Sequence, residues 1–508
     1  MKSLGPYTTS LEEIMSQTDP SRTPVIVSVG QVTEKDAIVS AIGLAESAAR
    51  KALEDAPGVG KTIDRLTLVA ISFSHSILDA PGVLARTLGL ENAFPEHSSH
   101  GGNIPQFLVN RASEDIASGV IRSTLIVGAE ATRSMRKENP AVNFLKVSSG
   151  NMEIEKTGTT IGPTLEGMLN KAEASAGLLA PSTVYPMFES VLAKRSGRTH
   201  EEQRKEIANL MARFTEVAQK NPYAWFSHSQ RPEEISEVTD TNRLIAEPYT
   251  RSMNSFPNVD QGAALIVTNL ATATEAGLAD QCVFPWSGAE MKELQCTQRP
   301  DLGTSPAMTA ASNLALTGAG MSVDDVDHID FYSCFPVAVE VAAAGLGLAP
   351  SDSRDLTVTG GLPYFGGPGN NYSTHAIAAM VERIRETGGK GLVTANGGFM
   401  SKHAAGVYGS KPSSKGFHRV NNEKEQGILS SAAIPVVQNS EGSAVVDAAT
   451  VSYDREGKPS RAPIIATLSD GSRTAARAAE DVLPDLAGEN LIGRTVRLFG
   501  SPTEYRPV

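Results

Sequence analysis

The sequence predicts an α/β protein of two similar halves, interrupted by a helical insertion and closed by a small β-rich module. Three observations carry this. Short apolar, β-branched runs alternate with segments of helical periodicity. The same order is met twice along the chain, which suggests an internal duplication. The composition shifts over residues 136–250 and again after about 410.

In the first half, residues 24–29 (PVIVSV) read as a buried strand, and 36–53 place Ile38, Ile42, Ala45, Ala49 and Leu53 at helical spacing. A strand over 66–72, a helix over 104–118 and a strand over 124–128 follow. The second half repeats this order, with strands at 263–268 (AALIVT), 328–332 and 391–395, the last of the core. Helices span 305–317 and 337–345. Strand–helix alternation implies parallel pairing with right-handed crossovers. Periodicity alone leaves one large doubly wound sheet open as the alternative to a duplication. Between the halves, 189–220 is charged and helical, with Ile207, Leu210, Met211, Phe214 and Val217 on one apolar stripe, as in a cap over the sheet edge. After 410, residues 421–426 read as a polar linker, and 449–453 and 463–468 as strands. Turns at 454–458, carrying Gly457, and at 469–471 suit a small barrel or a split β-α-β unit.

At 508 residues the chain is long enough for two or three folded units, and 40% hydrophobic with 5% aromatic residues and 45 Gly suits a core of Ala, Val, Ile and Leu. The net charge of −12 argues against nucleic acid as a partner, since phosphate affinity comes from clustered Lys and Arg. Cys282, Cys296 and Cys334 are too few for a disulfide framework. No apolar run approaches the roughly 20 residues that span a bilayer, and residues 1–23 lack an apolar signal-peptide core. The expected compartment is the cytoplasm.

Four segments carry a resemblance. The first is Gly101-Gly102-Asn103-Ile104-Pro105-Gln106, followed by 116–119 (IASG) and 125–130 (LIVGAE). The second is 254–264 (NSFPNVDQGAA), and the third Tyr332-Ser333-Cys334-Phe335. The fourth is a pair of Gly-rich turns, 360–371 (GGLPYFGGPGNN) and 394–398 (TANGG). In order and in near spacing, across 24–410, these resemble the nucleophile loop, the CoA loop, the NEAF or HDCF motif and the GHP and CxGGG turns of thiolases. The variant spellings and the C-terminal extension are similar to the type 1 thiolase-like proteins, often labelled acetyl-CoA acetyltransferases. The resemblance implies a duplicated thiolase fold, five layers αβαβα, with the helices 104–118 and 374–385 between two sheets. It also implies CoA or an acyl-CoA as ligand, no permanently bound cofactor and no metal. Thiolases are usually dimers or tetramers, so a homodimer is expected, with a monomer left open by the extra C-terminal domain.

Thiolase chemistry needs a thiolate nucleophile, a His that activates it, a second Cys as acid/base and an oxyanion hole. The resemblance aligns the nucleophile with 101–103, the GHP His with Gly367, the second Cys with Ala395 and the NEAF Asn with Tyr332. None of these can carry an acyl group through a double displacement. Cys334 matches the Cys of the HDCF motif. As an acid/base thiol it competes with its reading as a small buried hydrophobe. His403, in 401–406 (SKHAAG), is a candidate base at the rim of the pocket, although a structural hydrogen bond explains it as well. His100 adjoins the lost nucleophile, and its reading as a loop residue is preferred to one as a base. Tyr332 resembles the acid/base Tyr of thiolase-like steroid aldolases, with Ser333 departing from their Asp and Tyr364 three residues from the position of their second Tyr; a strand-end Tyr packed in the core is the competing reading.

For ligand binding, Gly101, Gly102, Gly361, Gly367, Gly397 and Gly398, with Asn103 and Asn396, are expected to bring backbone N–H groups close to a thioester oxygen. Arg251, Asn254 and Pro257 adjoin the CoA-like loop. Lys194, Arg195, Arg198 and Arg204 are further phosphate candidates, or a solvated helix face. Three readings follow: an acyl-CoA enzyme of the acyltransferase superfamily with altered chemistry, an acyl-CoA aldolase or lyase using Tyr332, and a non-catalytic CoA-thioester binding protein. Cys334, Tyr332, Gly101-Gly102 and Gly397-Gly398 are expected to converge in one open cleft, with room for a larger side chain at Gly367.

Overall fold

The computed structural model describes residues 19–508 apart from 157, 165, 350 and 351. Most of the start read for a signal segment lies outside the described residues. The first sheet runs in the order Pro24–Thr33, Asp260–Asn269, Ser123–Ala131, Ile63–Leu68, Phe94–Ser98, Thr160–Ile161. The second runs His328–Asp330, Lys390–Gly397, Lys402–Gly409, Phe284–Lys292, His418–Arg419. The helices Ile104–Ala117 and Tyr372–Thr387 touch strands of both sheets, Ala41–Asp55 covers the outer face of the first and Pro306–Gly318 that of the second. These are the five layers of a duplicated thiolase fold.

Burial between two sheets demands apolar surface all round. Ile104, Leu108, Val109, Ala112 and Ile116 supply it, yet Gln106 and Asn110 are buried in the same helix. Their amides are satisfied. Gln106 Nε2 donates to Asn110 Oδ1 at 2.8 Å, Asn110 Nδ2 to Glu290 Oε1 at 2.9 Å, and the Tyr408 hydroxyl to Gln106 Oε1 at 2.8 Å. The helix comes close because Gly406 and Gly288 lack side chains. A β-carbon on either would stand 2.1 or 2.2 Å from these two amides.

Three expectations are corrected. The strand at 263–268 does not open the second half; as Asp260–Asn269 it lies antiparallel between Pro24–Thr33 and Ser123–Ala131, inside the first sheet. Its uninterrupted apolar run fits burial on both faces, but a strand's run does not say which sheet it joins. Pairing is mixed for the same reason, since Lys390–Gly397, Lys402–Gly409 and Phe284–Lys292 also pair antiparallel. The strand at 391–395 is not the last of the core, because Lys402–Gly409 follows it through a tight turn.

The insertion contributes the helices Pro181–Arg195 and His200–Lys220, the second opened by a Thr199–Glu202 capping box. Ile207, Met211 and Phe214 of the predicted stripe are buried, while Leu210 and Val217 are half-buried. Residues 421–426 are not a free linker but run into the helix Glu423–Ser431. The C-terminal module is a closed barrel of Gly442–Ala449, Pro463–Leu468, Arg473–Ala478, Glu504–Pro507 and Thr495–Phe499. Its Ser452–Tyr453 pairs with Leu244–Ala246 of the insertion.

Candidate functional site

The turn at Gly101 lies against the end of the strand Lys390–Gly397. A β-carbon on Gly102 would stand 2.1 Å from the Tyr332 hydroxyl and 2.6 Å from the Asn396 carbonyl oxygen. One on Gly397 would stand 2.3 Å from Asn103 Oδ1 and 3.2 Å from the Cα of Gly101. Asn396 Nδ2 lies 3.8 Å from Cys334 Sγ and donates to the Tyr185 hydroxyl at 2.9 Å. Tyr332, Cys334 and the turns at Gly101-Gly102 and Gly397-Gly398 thus lie near one another, with Asn103 and Asn396 beside them. Their meeting place is not an open cleft. The phenol of Tyr332 fills the space that a nucleophilic side chain on Gly102 would need, and both Tyr332 and Cys334 are buried. Two buried acceptors there, Asn103 Oδ1 and Asn396 Oδ1, have no partner.

Burial decides the protonation of these groups. It pushes the Cys334 thiol up to about 12, and it raises the Tyr332 phenol too. Both are neutral at physiological pH. A neutral phenol can donate a proton but is a poor base, and a neutral thiol is a poor nucleophile.

Gly361 and Gly367 hold loops together instead of lining a cleft. A β-carbon on Gly367 would meet Ser255 Oγ at 2.4 Å, and one on Gly361 would meet Ser333 Oγ at 2.6 Å. The room expected at Gly367 is absent because the 254–264 loop is stitched onto this turn. Gly367 N donates to Phe256 O at 2.9 Å, Phe256 N to Leu362 O at 3.1 Å and Ser255 N to Cys334 O at 3.1 Å.

Of the two readings of His403, the structure supports the hydrogen-bonding one, and it is buried rather than at a rim. It is paired in register with Asn396, on the same sheet face as that side chain, and its Nε2 approaches the Met400 carbonyl at 3.1 Å and Ser305 Oγ at 3.4 Å. Burial drives its pKa down to about 4. The neighbouring Lys402 points the other way, toward Gly101. Its Nζ donates to the His100 carbonyl at 2.5 Å and the Pro163 carbonyl at 3.2 Å, and burial lowers it to about 8. Sequence reasoning missed Lys402, although strand alternation would have found it once 402–409 was read as a strand. Tyr185 was also missed. Its hydroxyl accepts from Asn396 Nδ2 and from Met400 N at 3.1 Å and donates to Gly398 O at 3.0 Å, which leaves it no free proton.

Beside the stitched loops lies a cavity of about 460 Å³, lined among others by Phe226, His228, Asn242, Arg251, Asn254 and Tyr364. Arg251 is exposed, with Nη1 3.3 Å from the Thr241 carbonyl. Gln230, Asn254 and Tyr364 line the cavity, and Gln230 Oε1, Asn254 Oδ1 and the Tyr364 hydroxyl are buried without a partner. Glu234, which also lines it, is paired with Arg231 at 3.4 Å. Pro257 is exposed and does not line this cavity, and neither do the four cations of the insertion helices. Lys194 is exposed, Arg195 pairs with Asp301, Arg198 donates to Gln203 Oε1 at 3.1 Å and Arg204 lies 3.5 Å from Glu247. Among the described residues no cluster of His, Cys, Asp and Glu could hold a metal ion, and no helix is long and apolar enough to cross a membrane.

Residues 426–499 match the family model described as the thiolase-like protein type 1 additional C-terminal domain. No curated protein matches the chain. Solved structures do. The Ltp2-ChsH2(DUF35) aldolase (18% identity, TM-score 0.58) and the dimeric peroxisomal thiolase of Saccharomyces cerevisiae (15%, 0.54) each match 77% of this chain and 98% of their own. At such identities they show the fold alone. A monomeric SCP2-thiolase-like protein type 1 from Mycobacterium smegmatis is 32% identical over 96% of this chain and 99% of its own, with a TM-score of 0.80. Matched at both its core and its extra barrel, the chain belongs to the SCP2-thiolase-like protein type 1 family.

Proposed function

We propose that the protein binds CoA thioesters in the cavity beside Arg251 and does not run the thiolase double displacement. The observation that carries this is the cavity itself. Its volume suits a small-molecule site, and it adjoins the loop that follows the insertion. It also joins one exposed guanidinium to three buried polar atoms without partners. Arg251 supplies a fork for a phosphate, and Asn254 and Tyr364 supply hydrogen bonds deeper in. The filled space at Gly102 and the neutral thiol of Cys334 support the absence of a covalent acyl-cysteine step. All three cysteines are free and buried, in keeping with a reducing cytoplasm.

A second reading has one observation in its favour. The Tyr332 hydroxyl stands where a nucleophile's side chain would be, so a carbon–carbon lyase could use it as a general acid. Its burial makes it unsuited to act as the base.

Titration calorimetry with acetyl-CoA tests the main reading. Saturable one-site binding is expected, weakened roughly tenfold by Arg251→Ala, the loss of about 1.4 kcal/mol expected for one charge-assisted contact. Intact mass after incubation should show no acyl group on Cys334. Absence of binding, or an affinity indifferent to Arg251, contradicts the reading.

A further inference from the structure

Three polar side chains outside the cavity and outside the Tyr332–Cys334 cluster are arranged in sequence. His100 Nδ1 lies 3.1 Å from Ser72 Oγ, and its Nε2 lies 2.7 Å from Glu155 Oε2. They come from separate segments: Ser72 follows the strand Ile63–Leu68, His100 follows Phe94–Ser98, and Glu155 ends the helix Phe144–Glu155. We propose that Ser72, His100 and Glu155 form an acyl-transfer centre in which Ser72 Oγ attacks an activated acyl group.

The hydrogen-bond inventory gives the serine proton a direction. Asn370 Nδ2 donates to Ser72 Oγ at 2.6 Å and lies 3.3 Å from His100 Nδ1, so one serine lone pair is occupied and the hydroxyl proton turns to His100 Nδ1, the nearer of that nitrogen's two neighbours. That tautomer puts the imidazole proton on Nε2, where the Glu155 carboxylate receives it. The two ring nitrogens are used in the reverse sense from the serine proteases, but the logic of nucleophile, base and orienting carboxylate is the same. The serine is also held in place. The Glu130 carboxylate accepts from the backbone N–H groups of Ser72, Phe73 and Ser74 at 2.6, 3.0 and 2.9 Å.

Two further observations describe the surroundings of the triad. Asn370 Oδ1 accepts from Gly101 N at 2.9 Å, so one side chain joins Ser72 to the glycine turn. Ser72 itself is buried, the His100 side chain keeps 10% of its surface open, and the loop that follows Ser72 exposes Phe73, Ile77 and Leu78, an apolar landing for an acyl chain.

The step balances. As the Ser72 Oγ–carbonyl bond forms, the hydroxyl proton passes to His100 Nδ1. As the carbon–sulfur bond of a thioester breaks, that proton goes to the departing thiolate. Water, activated by the same imidazole, then hydrolyses the serine ester, releases the carboxylic acid and restores Ser72. Glu155 is a positioning residue. A CoA thioester as donor rests on the function proposed above, whereas the nucleophile does not.

The test uses the full chain and a fluorophosphonate probe, with peptide mapping of the adduct. One probe per chain on Ser72 is expected, absent in Ser72→Ala, at least tenfold slower in Glu155→Gln and partly restored in Glu155→Asp. Melting temperature is followed throughout, and acetyl-CoA titration is run in parallel. A folded parent that leaves Ser72 unlabelled overturns the inference, as does equal labelling in Glu155→Gln. Labelling without acetyl-CoA binding keeps the nucleophile and removes only the CoA donor.

Discussion

A β-carbon on Gly102, within the stretch 101–103 aligned with the lost nucleophile, would stand 2.1 Å from the Tyr332 hydroxyl, so a thiol there would need more than its own addition. Gly102→Cys should lower stability by about 1–3 kcal/mol through overpacking and give no thiolysis of acetoacetyl-CoA. Tyr332→Ala in the same chain should recover much of that loss, a non-additivity read from urea unfolding of the two single variants and the double. A Gly102→Cys chain as stable as the parent would show that the space is not filled. Two buried imidazoles set an acid limit. Burial depresses His403 to about 4 and His375 to about 3. Both are neutral in the fold, and the unfolded chain takes up protons first. Stability from each is whole above the ordinary value near 6.5 and is lost as pH falls through that value toward the folded one. His403 alone accounts for on the order of 3 kcal/mol. Urea unfolding between pH 7 and 4 should show this slope, flattened in His403→Gln; an unchanged slope would place the loss elsewhere.

At the scale of elements, the barrel is tied to the segment that leads into the cavity. Glu247 N donates to Val451 O at 2.9 Å, Thr450 Oγ1 to Glu247 O at 2.8 Å and the Tyr453 hydroxyl to Glu247 Oε1 at 3.0 Å. Arg251 and Asn254 follow directly. Thr450→Val and Tyr453→Phe each remove one of these bonds, worth about 1 kcal/mol. Together they should lower the melting temperature and weaken acetyl-CoA binding several-fold. Lower stability with full affinity would show that the barrel supports the fold but not the pocket. Legibility also divides by element. Apolar runs such as 24–29 and 263–268 and the stripe at 207–217 were readable, because burial is written in their composition. The strand Lys402–Gly409 was not, since it opens on two polar residues, Lys402 and His403, and the burial of Lys402 depends on the His100 and Pro163 carbonyls far along the chain. Sheet membership was equally hidden, because the partners of Asp260–Asn269 lie more than a hundred residues before it.

For the whole molecule, motif order over residues 24–410 was enough to reach the duplicated fold. The cavity was only partly legible. Arg251 and Asn254 came from the resemblance of their loop, but Phe226, His228, Asn242 and Gln230 carry no motif and meet only after the insertion folds back. Ser72, His100 and Glu155 come together from three segments, and only His100 stood out in the sequence. The edge of the first sheet bears on assembly. Thr160–Ile161 pairs with His97–Ser98 and covers a strand end that would otherwise be free. If association runs through this edge alone, sedimentation at micromolar concentration gives one species near 53.5 kDa; a dimer would show that another face associates.

The central claim, that CoA thioesters enter beside Arg251, is tested most directly by amide hydrogen exchange with and without acetyl-CoA. Ligand binding should protect backbone amides over 226–256 and 362–367, where the cavity and its stitched loops lie, and leave the barrel strands unchanged. Protection confined to another part of the chain, or none at saturating ligand, would contradict the account.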